Sequence, residues 1–244
     1  MKTRALILAV ALAGVGIFCG VWVVMWLTRG SYVTALIILC LAIWALGFAW
    51  YILLSTSGLA RPRKRCGADG TLLRPPKIVD MIFGASAAAI VTAAVLYGVF
   101  APFGIVDYVP TGVMRMAVPA GCIAILVFGV PTLFRMIKHG GTGHLRLTPE
   151  GFEVWNGQFG SFVRGEWEAV DQVLDRPPRG SSPYHDVIVF VQPKRRSAVL
   201  VADAITGNTR GLLEWVRFYW QHPQCRDELV DERGLRRLDA GPPR

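Results

Sequence analysis

Four long apolar runs fill the first 138 residues, and short alternating segments replace them from residue 139 onward. The runs cover residues 5–27, 32–54, 78–103 and 113–136. Each holds about 20 or more residues with few charges, enough for a helix to cross a bilayer core of about 30 Å. Ala11-Leu12-Ala13 loosely resembles a signal-peptide cleavage site, but the apolar stretch runs well past it, so the first helix is expected to be retained.

Small residues predict how these helices pack. Gly16 and Gly20 form a GxxxG pair, and the third run stacks Gly84, Ala88 and Thr92 beside Ala85, Ala89 and Ala93. Such spacing lets helix backbones approach closely. Pro119 and Pro131 lie in the first and last turns of the fourth run and are expected to bend it.

After His139-Gly140-Gly141-Thr142-Gly143 the period changes to two. Leu145 and Leu147 alternate with Arg146 and Thr148, and Phe152 and Val154 with Glu153 and Trp155. Turn signals at Pro149-Glu150-Gly151 and Asn156-Gly157 separate strands. Residues 162–169 read as a third strand with Val163, Trp167 and Ala169 on one face, and residues 185–192 and 197–202 as two further apolar strands. A helix capped by Asn208 or Thr206 then carries Leu212, Leu213, Val216, Tyr219 and Trp220 as its apolar stripe and ends at His222-Pro223. A second short helix is expected over 231–238.

Charge changes the picture in one respect. The net charge is +9, but residues 139–244 are balanced, fourteen Lys/Arg against fourteen Asp/Glu. The excess lies in the first 138 residues, in the loops and ends of the apolar runs, which is the footprint of membrane topology and not of a nucleic-acid groove. Arg61, Arg63, Lys64, Arg65, Arg74 and Lys77 crowd the segment between runs two and three. Lys2 and Arg4 precede run one, and Arg135 and Lys138 end run four, so both termini are expected on the cytoplasmic side. Trp22 and Trp26 fall near the outer end of run one, and Trp50 and Tyr51 near the inner end of run two.

Chemistry is sparse. The middles of the four runs hold no Asp, Glu, Lys, Arg or His, which demotes channels, pumps and proton-coupled transport. The five cysteines contain no CxxC pair, and His139, His144, His185 and His222 have no metal-ligand spacing, so neither a disulfide framework nor a metal site is expected. No catalytic or cofactor-binding residues stand out, and Gly140-Gly141-Thr142-Gly143 lacks the lysine of a phosphate loop. The candidate contacts are basic residues facing anionic lipid headgroups: Arg61, Arg63, Lys64, Arg65, Arg74 and Lys77, with Lys194, Arg195 and Arg196 on a second hairpin.

The segment from Leu145 to Val154 resembles the opening hairpin of bacterial PH-like domains. Glu166-Trp167-Glu168-Ala169-Val170-Asp171-Gln172-Val173 resembles their third strand, and the closing helix stands where theirs does. The resemblance covers about residues 143–222. It implies a membrane α-helical half, residues 1–138 with four transmembrane helices, joined to a cytoplasmic α+β PH-like domain, residues 139–244, built as an antiparallel β-roll or barrel closed by a C-terminal helix. Such proteins are multi-pass proteins of bacterial plasma membranes. Phosphoinositide-binding PH domains place Lys and Arg in the first hairpin, where this chain has Pro149-Glu150. The expected function is therefore a non-enzymatic protein-interaction or scaffold module at the inner membrane face, without cofactors, whose partners are the bilayer and a protein. The alternative is a lipid-binding or lipid-handling protein that uses its basic loops.

Overall fold

The computed structural model describes residues 3–58, 61–107, 110–157, 160–176, 186–193 and 197–240. It contains four helices long and apolar enough to cross a membrane: α1 (Thr3–Thr28), α2 (Tyr32–Thr56), α3 (Lys77–Phe100) and α4 (Met114–His139). The chain divides into two compact units that are not consecutive in sequence. One comprises residues 6–53 and 81–138; the other comprises residues 1–5, 54–80 and 139–244.

In the helical unit, glycines set the close approaches. A methyl group on Gly16 would meet the Leu46 side chain at 2.5 Å, and one on Gly129 would meet Val91 at 2.7 Å. Gly20, the other half of the expected pair, has no atom of another element within 4 Å of that position. Phe48, Tyr51 and Phe83 form an aromatic cluster between α2 and α3, with ring centroids 5.3–6.2 Å apart. Helix α4 carries Pro119 and Pro131 within its helical span and has no buried residue.

The second unit contains the sheets. The basic segment between α2 and α3, expected as a loop, forms a hairpin of β1 (Arg63–Gly67) and β2 (Gly70–Arg74). Its β2 pairs with β3 (Gly143–Leu147), which pairs with β4 (Gly151–Asn156) and then β5 (Ser161–Glu166), all antiparallel. The hairpin lacks the clean alternation of a half-buried strand, because Arg63, Lys64 and Arg65 run consecutively. Only Thr71 and Leu73 of β2 turn inward, and both are buried. Gly70 closes the hairpin at φ +95°, and a methyl group there would lie 2.2 Å from the Leu147 carbonyl oxygen, so the turn needs glycine on two counts.

The expected third strand ends early. A 3₁₀ turn, Trp167–Ala169, follows β5 and leaves Ala169 exposed while Trp167 stays buried. That turn redirects the chain into a separate sheet of β6 (Gln172–Leu174), β7 (Val187–Val191) and β8 (Ala198–Val201). The strands are therefore two sheets and not a closed roll or barrel. They face each other, with β8 packed across β3, β4 and β5, and Phe152 stacks on Phe190 at 4.2 Å between them.

Helix α5 (Thr209–Gln221) begins at the expected cap, where Asn208 accepts a hydrogen bond from the Gly211 amide at 2.9 Å. It buries Leu212, Leu213, Trp215, Val216 and Tyr219. A 3₁₀ segment, Pro223–Val230, leads to α6 (Glu232–Ala240). The Tyr219 hydroxyl donates to Glu228, which also accepts two hydrogen bonds from Arg237. Burial and then the Glu228 hydrogen bond push the Tyr219 phenol far above its ordinary range.

Candidate functional site: the outer face of the five-stranded sheet

Alternation gives the five-stranded sheet two faces. Leu73, Leu145, Leu147, Phe152 and Val154 turn inward to the core. The residues between them form the outer face, and strand register arranges those in rows. Across the middle, Arg65 lies beside Leu72, Leu72 beside Arg146, Arg146 beside Glu153, and Glu153 beside Arg164. A glutamate thus stands between two arginines on neighbouring strands, a pairing of opposite charges that favours this register. In the next row, His144, Trp155 and Phe162 follow one another over β3, β4 and β5, and Arg63 faces Arg74 on the hairpin.

The two ends of this face differ in charge. Chain segments from α2, to α3 and from α4 all join the strands at one end, through Arg63, Arg74 and Gly143. The opposite end holds the turns at 67–70 and 147–151 and the end of β5. An open groove of about 600 Å³ lies at that far end, lined by Asp69, Glu150 and Glu166 together with Arg146, Glu153 and Arg164.

His144, on β3, begins the aromatic row and is buried. Its Nε2 is 2.8 Å from Glu153 Oε1, and its Nδ1 has no hydrogen-bond partner among the described residues. Burial lowers its pKa, helped by Arg74 and Arg146 and opposed by the hydrogen bond to Glu153. The ring is therefore neutral at pH 7, with Nε2–H donating to the carboxylate. Because the folded value lies below the unfolded one, the unfolded chain takes up the proton first as pH falls below about 6.5. The linked stability is present above that pH and is lost below it, until the folded value is reached. We expect the thermal midpoint of the protein to fall between pH 7 and pH 5, and His144→Gln to flatten that fall. An unchanged slope in the variant would remove His144 as its source.

His139, the last residue of α4, covers the same row. Its ring stacks on Trp155 at 4.3 Å and on Phe162 at 4.8 Å. Trp155 is 1% exposed although it faces outward, and its indole N–H donates to the Gly141 carbonyl at 2.9 Å. Two histidines that look scattered in the sequence thus meet two aromatic side chains. Only the register of β3, β4 and β5 brings them together, and the sequence carries no spacing signal for it.

The fold divides the basic residues expected at lipid headgroups. Arg63 pairs with Asp80, Lys64 pairs with Asp239, and Arg74 donates to the Gly140 carbonyl at 3.1 Å. Arg61, Arg65 and Lys77 are exposed. Arg61 and Lys64 also line an open cavity of about 380 Å³ beside Asn208 and Asp239. Lys194, Arg195 and Arg196 lie outside the described residues, as does His185.

Asp80, in the first turn of α3, belongs to no motif or spacing that singles it out in the sequence. It accepts hydrogen bonds from the Thr142 amide at 2.8 Å and the Thr142 hydroxyl at 2.7 Å as well as pairing with Arg63. No family model, no curated protein and no solved structure matches this chain.

Proposed function

We infer that this chain is a non-enzymatic, multi-pass membrane protein whose sheet unit is a PH-like module for docking a protein partner at the inner face of a bacterial plasma membrane. The observation that carries this reading is the far groove. Its lining alternates in sign, with Arg146, Glu153 and Arg164 in line and Asp69, Glu150 and Glu166 around them. A polar, open groove of mixed sign suits a peptide surface with its own pattern of charges and does not suit an apolar ligand, whose sites are mostly apolar and concave. The PH-like assignment is supported by strand order: antiparallel strands β3 to β8 in two facing sheets, followed by the amphipathic helix α5. Both termini are assigned to the cytoplasm because Lys and Arg alternate from loop to loop.

Purification of the full chain in mild detergent, as wild type and as Arg146→Glu/Arg164→Glu, tests the reading. A protein retained in stoichiometric yield by the wild type should be lost from the double variant, because like charges then face the partner at two points. Retention of lipid alone by the wild type, with no protein, would transfer the assignment to lipid binding.

A further inference from the structure

The outer sheet face is polarised along its strands, and that polarity identifies a second surface. Carboxylates gather at the turn end, in Asp69, Glu150 and Glu166. Exposed cations stand instead where the chain passes into the long apolar helices. Arg4 is in the first turn of α1, Arg61 lies five residues beyond the end of α2, and Lys77 opens α3; all three are exposed and belong to the sheet-bearing unit. Arg63, Lys64 and Arg74 are nearby in sequence, but their charged groups are engaged within the fold.

We propose that Arg4, Arg61 and Lys77 form an anionic-lipid contact surface that holds the helix-joined end of the sheet unit against acidic headgroups. This goes beyond the docking role proposed for the far groove and does not depend on it. Three features point to a lipid surface. The first residue of a membrane-crossing helix lies at headgroup level, so Lys77 meets phosphates without any movement of the chain. Arg61 lines an open cavity of about 380 Å³ with room for a phosphate-bearing headgroup beside the guanidinium, and the carboxylate that shares the cavity, Asp239, is paired with Lys64. At the helix-joined end the carboxylates of Asp80 and Asp239 are paired with Arg63 and Lys64, which leaves the exposed cations in excess there. An acidic peptide is less well matched, because the three cations belong to three different segments, α1, the residues after α2, and α3, and lie on no common strand.

Thermal unfolding of the full chain in mild detergent provides the test, with phosphatidylglycerol, phosphatidylcholine or sn-glycerol 3-phosphate added. Phosphatidylglycerol should raise the midpoint in a saturable way and phosphatidylcholine should not. In Arg4→Gln/Arg61→Gln/Lys77→Gln the half-saturating concentration should rise about fivefold for each charge removed. Arg146→Gln/Arg164→Gln should respond as the wild type does, which separates this surface from the groove. An equal response in the triple variant, or an equal response to the two lipids, would overturn the proposal. So would glycerol phosphate acting at the same concentration as the lipid, which would indicate a small-anion site.

Discussion

Trp167→Ala is expected to destabilise the sheet unit by about 3–5 kcal/mol, the largest effect of any single substitution considered for this chain. The side chain is 1% exposed and belongs to the main core. Its ring lies 6.1 Å from Phe152, and Phe152 in turn stacks on Phe190 of the opposite sheet. Its indole N–H donates to the Thr148 carbonyl at 2.9 Å, which fastens the turn after β5 to the β3–β4 turn. On the other side, the Arg226 guanidinium lies 5.2 Å from the ring centroid while donating to the Tyr219 carbonyl and to Glu168. Truncation therefore opens a cavity, removes one of the two hydrogen bonds to the Thr148 carbonyl and takes away the surface on which a buried arginine rests. Amide hydrogen exchange on the full chain is the suitable measurement. Protection in β3, β4 and β7 should fall by about a thousandfold, the equivalent of about 4 kcal/mol. Trp167→Phe keeps most of the ring and should recover most of the protection. Unchanged exchange in the alanine variant would mean that Trp167 does not support the core.

The inward placement of Trp167 was legible in the sequence because its neighbours Glu166 and Glu168 are charged and must face water. The four apolar helices were legible for a similar reason, since no other fold easily accommodates four such runs. The hairpin was not. Its residues Arg63, Lys64 and Arg65 read as a topology signal, and no local pattern reveals that Thr71 and Leu73 complete a sheet whose other strands begin some 70 residues later. Strand pairing between such distant segments is decided by the core that both share, here through Leu73, Leu145 and Leu147. The same limit applies to the aromatic row. Trp155 alternates as an outward residue, which is correct, yet it is buried because His139 folds over it. Ala169 misleads in the opposite sense, because the strand period was carried through a 3₁₀ turn that starts at Trp167.

Asp80→Ala is the second large effect, about 3 kcal/mol, and it concerns a residue that no sequence motif singles out. Its side chain is 13% exposed. The carboxylate takes the Thr142 amide and hydroxyl on one oxygen and the Arg63 guanidinium on the other, so it joins the first turn of α3 to the start of β1 and to the segment entering β3. An acidic residue in a helix's first turn also meets the positive end of the helix dipole. Gly141, at φ +141°, makes the close approach possible: a methyl group there would stand 2.8 Å from the carboxylate. Most of the expected loss comes from Thr142, a buried residue whose amide would lose its charged acceptor. Arg63 contributes less, because its side chain is 36% exposed and water can take over its charge. A double-mutant cycle separates the two. Asp80→Ala combined with Arg63→Ala should show a coupling of about 1 kcal/mol or less, and Asp80 with Thr142→Ala a coupling of about 1–2 kcal/mol. Asp80→Asn, which retains an acceptor for the Thr142 amide but loses the charge, should fall between wild type and alanine in hydrogen-exchange protection of β2 and β3. Protection equal to wild type in Asp80→Ala would show that the carboxylate does not tie these three segments together.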